Sequence, residues 1–293
     1  MAQRTAVDVV VPFGGALHEL IDLLARLDRL ELGPDDTLVV VDNRPPGSAG
    51  ATSGARSTVL RAPERQSSYF ARNRGAESGR NPWIVFLDAD VDPPPDLIER
   101  YFAHEPGEST AVLSGSVLDE PLALSGRQPV AARYAALRAT MSQLHTLDRR
   151  WAYVQTANCA VRRDPFEAVE GFRDDVRSGG DADLCFRLRA AGWRFEPRED
   201  ASVVHRSRRA MRALLRQQAR HGSGAAWLDR TYPGSFPRAH WLGLGVWSLR
   251  SFASALYAAL RGQGDDALGA AIDPLVKWAF EIGRLFPNEV SGK

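Results

Sequence analysis

Cysteine is scarce in this chain: Cys159 and Cys185 are its only two thiols. Two cysteines cannot build a disulfide framework or a thiolate zinc site, so free thiols in a reducing compartment are expected. Lysine is nearly missing, with only Lys277 and Lys293 among 37 basic residues. The arginine bias holds along the whole length and therefore reads as a coding bias. Net charge is almost absent too: 36 acids leave a formal +1, which excludes a uniformly basic nucleic-acid binder. The first apolar run, Val7–Phe13, is short and broken by Asp8 and Pro12, so no secretory signal is expected. There is no internal repeat and no GxGxxG, Walker A or nucleophile-elbow sequence. What is present is ordinary for a folded protein: 44% apolar and 25% charged residues over 293 positions. That is enough for one α/β-sized domain with an appendage, and the expected location is the cytoplasm.

The front two thirds alternate β-branched runs with helical spacing, the pattern of βαβ units. Strands are expected at Val7–Val11, Thr37–Val41, Ser57–Leu60, Trp83–Leu87, Ala111–Val117 and Tyr153–Val161. Leu17, Leu20, Ile21, Leu24 and Leu27 recur at helical spacing before Gly33-Pro34 ends the unit. Near-continuous apolar strands suit a sheet covered on both faces. The Gly- and Ser-rich residues 47–54 read as a loop after a strand, where ligand-binding loops of open α/β sheets lie. Beyond about His205 helical patterns dominate, at Arg206–Arg220, Trp241–Leu260 and Leu268–Phe286.

The strongest chemical feature is the apolar strand that delivers Asp88-Ala89-Asp90-Val-Asp92 and stops at three prolines. Period-two geometry sets Asp88 and Asp90 on one side. Hard carboxylate oxygens so arranged suit Mg²⁺ or Mn²⁺, particularly when a ligand's phosphates complete the shell. An acidic turn after a buried strand would use the same residues. A second acidic group, Gly180-Asp181-Ala-Asp183, precedes a helical stripe of Leu184, Leu188 and Ala191, with Gly192 as terminator. One aspartate, most naturally Asp183, could be the helix N-cap, which leaves Asp181 in the Gly-rich approach. Ala71-Arg72-Asn73-Arg74-Gly75-Ala76 places cations beside small residues on a helix, or is a solvated surface helix. His205 ends the strand-like run Val203–His205, as a third metal ligand or a surface histidine.

In combination these motifs resemble the family 2 glycosyltransferases, inverting enzymes of GT-A fold that use nucleotide-diphosphate sugars. The resemblance runs from about Val7 to Gly222 and rests on motifs in the family's order. It implies an α/β GT-A domain over 1–222, with a mixed, mostly parallel sheet flanked by helices. Residues 223–293 would form a C-terminal helical extension, packed on a partner or a membrane surface. Pro12, Asp42, Arg72, Asn73, Asp88 and Ala89 match positions that face the donor nucleotide. Asp88 and Asp90 match the DxD motif for Mn²⁺ or Mg²⁺, and His205 falls where several members place a metal or diphosphate contact. Asp181 takes the position of the catalytic base, while Trp151, Asn158 and Asp183 fall on the acceptor side. One position departs: the family's usual acidic pair has Gly180 as its first member here.

The expected reaction is sugar transfer with inversion from a nucleotide-diphosphate donor, a UDP-sugar favoured, to an acceptor hydroxyl. Such an in-line displacement needs a carboxylate base at the nucleophile and stabilisation of the leaving diphosphate. Trp151, Tyr153 and Trp193 could stack on sugar rings, although Trp193 suits core packing better. The acceptor (glycan, lipid-linked or small molecule) is unread, and its selectivity should lie in residues 118–150 and the C-terminal helices. Two alternatives stand beside this reading. One is a GT-A protein that binds nucleotide or glycan without turnover. The other is a haloacid-dehalogenase-type phosphatase, which the DxD sequence also resembles, but Cys185 stands where its second acid belongs and no lysine lies between the motifs.

In the C-terminal third, Arg208, Arg212, Arg216 and Arg220 recur every four residues, giving a basic amphipathic helix. Trp241–Leu260 is mostly apolar but carries Arg250 at its middle, which is costly inside a bilayer. Leu268–Phe286 carries Asp273, Lys277, Glu281 and Arg284 and reads as amphipathic. Helices packed on the domain, in a homodimer, or peripherally at the inner face of a membrane all fit this pattern.

Overall fold

The computed structural model describes residues 4–48, 53–122, 128–141, 147 and 150–290. Parts of the expected loop at 47–54 and of the expected acceptor segment at 118–150 lie outside the described residues. The rest falls into two compact units: one within 4–118, 147–205 and 289–290, the other within 119–141 and 206–288. The expected division at 222/223 instead lies inside a helix, Met211–Thr231.

The first unit is built on an eight-stranded sheet. In chain order its elements are β1 (Val7–Phe13), α1 (Leu17–Leu27), β2 (Thr37–Asp42), β3 (Thr58–Arg61), α2 (Ser68–Ser78), β4 (Trp83–Leu87), β5 (Val91–Asp92), α3 (Leu97–Tyr101) and β6 (Thr110–Asp119). After α4 (Val130–Arg138) come β7 (Asn158–Arg162), α5 (Arg163–Ala168), α6 (Gly180–Ala190) and β8 (Arg194–His205). The strand order is β3-β2-β1-β4-β7-β6-β8-β5. The β3-β2-β1-β4 half is parallel, and β7 enters antiparallel beside β4. β1, central in the parallel half, is buried along its whole length, as its mostly apolar run requires. The acid that interrupts that run is neutralised inside: Asp8 accepts from Arg163 Nη2 at 2.6 Å, Thr37 Oγ1 at 2.7 Å and Asn81 N at 2.9 Å. Helix α2 lies close on β1 and β2 because Gly75 has no side chain. A Cβ there would sit 2.3 Å from a Val10 methyl.

Three strands differ from expectation, the two-residue β5 being one that was not foreseen. β7 begins only at Asn158: Val154, Thr156 and Ala157 are buried and Tyr153 and Gln155 half-buried, but none of the five joins the ladder. The alternation of half-buried and buried positions made their sequence look like a strand. β8 runs twelve residues although only its last three look like strand, since Arg194, Glu196, Arg198, Glu199 and Asp200 hide the pattern. Glu196 is held by Gly107 N at 3.0 Å and by Arg198 Nη2 at 2.8 Å. Both cysteines are free and buried, and burial pushes the Cys185 thiol up to about 12.

The second unit packs α4 with α7 (Met211–Thr231), α8 (Trp241–Leu260) and α9 (Gly264–Gly283). Its small core joins Ala131, Tyr134, Leu214 and Ile272. Asp273 on α9 accepts from Tyr134 at 2.9 Å and from Arg138 Nη2 at 2.6 Å, tying α4 down. Pro274 lies inside α9 and cannot donate to the carbonyl four residues back. Ser251 of α8 supplies the missing donor to Ala270 O at 2.8 Å, which offsets about 1 kcal/mol of an otherwise unmade bond.

Candidate active site

Parallel strands β1, β2 and β4 end together at one edge of the sheet, with Pro12 opposite Val41 and Phe13 opposite Asp42. That edge, outside the carboxyl ends of parallel strands, is where open α/β sheets hold ligands. Asp42 closes β2 with its carboxylate fully buried. It accepts from Arg44 Nε at 2.9 Å, Arg44 Nη2 at 2.8 Å and Arg61 Nη1 at 2.5 Å. Burial pushes this carboxyl up, but the two guanidiniums outweigh burial and hold it at about 2. A carboxyl depressed in the folded state stabilises above its ordinary value, and the contribution is lost as pH falls through the folded value. Wild type should therefore lose on the order of 2 kcal/mol from this group between about pH 4 and pH 2. Urea unfolding at both pH values measures it. Asp42→Asn should be less stable at neutral pH and should lack this part of the acid loss.

Beside it lies a cluster from α2, β4 and α6. Arg72 is buried on α2 and binds the Asp88 carboxylate directly after β4. Its guanidinium lies 5.6 Å from the Tyr69 ring centre and 5.9 Å from that of Phe172, and the two rings stack. Tyr69 OH faces Asp181 Oδ1 at 3.5 Å, and Ala182 N donates to the same oxygen at 3.0 Å. Burial pushes the Asp181 carboxyl up, and the Asp88 charge adds to this, against the pull of Ala182 N–H and Arg72. Tyr153 is close enough for Asp181 to raise its phenol further after burial has done so. The Gly180 departure has a steric cause here. A Cβ at residue 180 would sit 2.9 Å from two Tyr69 ring atoms. The ring occupies the space that an acid at this position would need.

Asp90 follows Asp88 by two residues and directly precedes β5. β5 pairs with β8 so that Val91 lies opposite His205, and this register brings His205 Nε2 to 3.5 Å from Asp90 Oδ2. No cluster of three or more His, Cys, Asp or Glu side chains poised for a metal occurs among the described residues.

Other expected positions are engaged within the protein. Asn73 clamps Phe172 through both backbone groups, donating to its O at 2.8 Å and accepting from its N at 2.9 Å. Asn158 is buried and joins three elements: it donates to Ser116 O at 2.9 Å and Ala201 O at 2.7 Å, and accepts from Tyr101 OH at 2.7 Å. Asp183 is not the N-cap. Helix α6 starts at Gly180 behind Gly179, whose φ of 87° suits glycine, and Asp183 pairs with Arg187 Nη2 at 2.7 Å. Trp151 packs on Phe186 of α6, ring centres 5.0 Å apart. Ala89 offers its carbonyl to Arg26 Nη2 at 2.7 Å. Tyr69, Arg44 and Arg61 were not singled out from sequence. Tyr69 had a signal, since it lies three residues before Arg72 and so on the same helix face.

The fold and the motif order are those of a known family, and the chain belongs to it: residues 7–224 match the model described as glycosyltransferase like family 2. The match includes both acidic motifs. A "Pre-mycofactocin glycosyltransferase" of Mycobacterium tuberculosis is 30% identical over 184 residues, 60% of this chain and 37% of that protein. "Glycosyltransferase AglE" of Haloferax volcanii is 30% identical over 166 residues, 57% of this chain and 53% of that protein. The chain thus spans about a third to a half of the length of these relatives. Among solved structures, the mannosyltransferase PcManGT from Pyrobaculum calidifontis, in complex with GDP-Man and Mn²⁺, superposes with a TM-score of 0.64 at 18% identity. That superposition covers 97% of this chain and 88% of the other. S. aureus TarS 1–349 gives a TM-score of 0.51 at 12% identity, over 91% and 90%. The architecture is therefore the GT-A fold.

Proposed function

We propose that this protein transfers a sugar, with inversion, from a nucleoside-diphosphate sugar to an acceptor hydroxyl, with Asp181 as the base. The observation that carries the reading is the cluster itself. A carboxyl with raised proton affinity lies one tyrosine away from the Arg72–Asp88 pair, at the ligand-binding edge of the sheet. In the step proposed, the acceptor oxygen bonds to the anomeric carbon while the bond from that carbon to the diphosphate breaks. The hydroxyl proton passes to Asp181, and the nucleoside diphosphate leaves with the bonding pair. Arg72 holds Asp88 toward the donor, and Asp42 with Arg44 and Arg61 faces the nucleotide end.

The residues that would hold a divalent ion are Asp90 and His205 together with Asp88, which is paired with Arg72 here and does not form one cluster with the other two. Asp88, Asp90 and His205 offer hard oxygens and one imidazole, a set suited to Mn²⁺ or Mg²⁺, and the β5–β8 register already brings two of them together. Once bound, such an ion would offset the charge that grows on the departing diphosphate. The relatives named as glycosyltransferases and the neighbour holding GDP-Man and Mn²⁺ support this reading. The resemblance favours UDP and the neighbour adds GDP as a candidate donor base.

The test is turnover of α-linked UDP- and GDP-sugars, with water as the default acceptor, followed by proton NMR. Inversion predicts the β-anomer as the first product before mutarotation. First release of the α-anomer would overturn the inverting mechanism, and binding without any turnover would favour the non-catalytic alternative.

A further inference from the structure

We propose that the outward face of α8 lies on an anionic lipid bilayer, with the helix in the plane of the interface. The inference does not rest on the transfer reading, because it uses only the second unit. Against α9, helix α8 turns a nearly small-residue face: Leu244, Ser248, Ala255 and Ala258 are its buried positions. Its larger apolar side chains point the other way. Leu242, Leu249 and Leu260 are 77%, 72% and 80% exposed, and Val246, Phe252 and Leu256 continue the same stripe. Helices of soluble units put the apolar stripe inward, so this one is inverted. Its extent exceeds the scattered single hydrophobes that water tolerates.

Charge identifies the occupant. From Arg230 to Gly264 the sequence has no Asp or Glu, while Arg238, Arg250 and Arg261 are all exposed along or beside α8. The next acid, Asp265, is paired with Arg133 at 2.5 Å. Trp241 marks one end and Tyr257 the other, both exposed, and such amphipathic rings favour the headgroup level. Asp266 beside Asp265 is exposed at the start of α9, but along α8 itself the apolar stripe is bordered only by cations, a surface that complements anionic lipid, each arginine adding to the attraction. A second copy pairing through this face would meet the same acid-free surface, leaving Arg250 without a counter-charge. No helix among the described residues is long and apolar enough to cross a membrane, so the contact is with one leaflet.

The experiment is flotation of the full chain with vesicles of phosphatidylcholine alone, or of equal phosphatidylcholine and phosphatidylglycerol. Solution mass is measured in parallel without lipid. Binding to the anionic vesicles is expected, weakened about tenfold or more by Leu249→Glu and about fivefold by Arg250→Gln. Both positions are exposed, so the urea midpoints should match wild type, which separates lost binding from lost fold. Equal binding to both vesicles would overturn the anionic selection. No binding would overturn the proposal, in favour of a second copy if wild type is dimeric and Leu249→Glu is monomeric.

Discussion

Asp181→Asn is expected to lower turnover by about a thousandfold, within the range that a positioned general base contributes. The amide keeps the shape and can still meet Ala182 N–H and Tyr69 OH, but it cannot take a proton at neutral pH. Nucleotide affinity should change little, since the Arg72–Asp88 pair and the Asp42 group are untouched. The informative comparison is kcat against the dissociation constant for the nucleoside diphosphate. Turnover near that of wild type would remove Asp181 as base. A parallel collapse of nucleotide binding would show that the substitution disturbed the cluster instead.

The second large effect is expected at Gly180. Restoring the family's usual acid with Gly180→Glu puts side-chain atoms into the Tyr69 ring, which is held by Phe172 at 5.6 Å and by Arg72. Overpacking of this kind costs about 1–3 kcal/mol. It should also push Tyr69 away from Asp181 and cut turnover at least about tenfold, by the sensitivity of catalysis to small misplacement. Gly180→Ala isolates the steric part. In the double variant with Tyr69→Ala the stability loss should fall well short of the sum, because the two side chains compete for one space. A Gly180→Glu protein as stable as wild type, with simple additivity in the double variant, would remove this explanation.

Much of this was legible in the sequence, for definite reasons. β1, β2 and β4 are buried on both faces, so their apolar runs announce them. Asp42, Asp88 and Asp90 follow directly where those strands end, so the position of the candidate site followed from the strands. β8 was mostly hidden because its charged residues pair within the sheet edge, as Glu196 does with Arg198. Asp183 looked like a cap because composition cannot tell a capping aspartate from one paired four residues on. The exchange between Gly180 and Tyr69 was out of reach, since the two residues lie far apart in sequence and meet only in the fold. Asn73 and Asn158 show the reverse limit. Their motif positions suggested ligand contacts, while their side chains are satisfied by backbone groups and by Tyr101.

The donor site is the claim on which the rest depends, and thermal unfolding with UDP, GDP, dTDP or CDP, each with and without Mn²⁺, tests it most directly. Ligand at about a hundred times its dissociation constant adds about 2.7 kcal/mol, on the order of several degrees in Tm. A Mn²⁺-dependent rise with one nucleotide, lost in Asp90→Asn, is the predicted result. The absence of a rise with any of the four nucleotides would contradict a nucleoside-diphosphate site at this edge of the sheet.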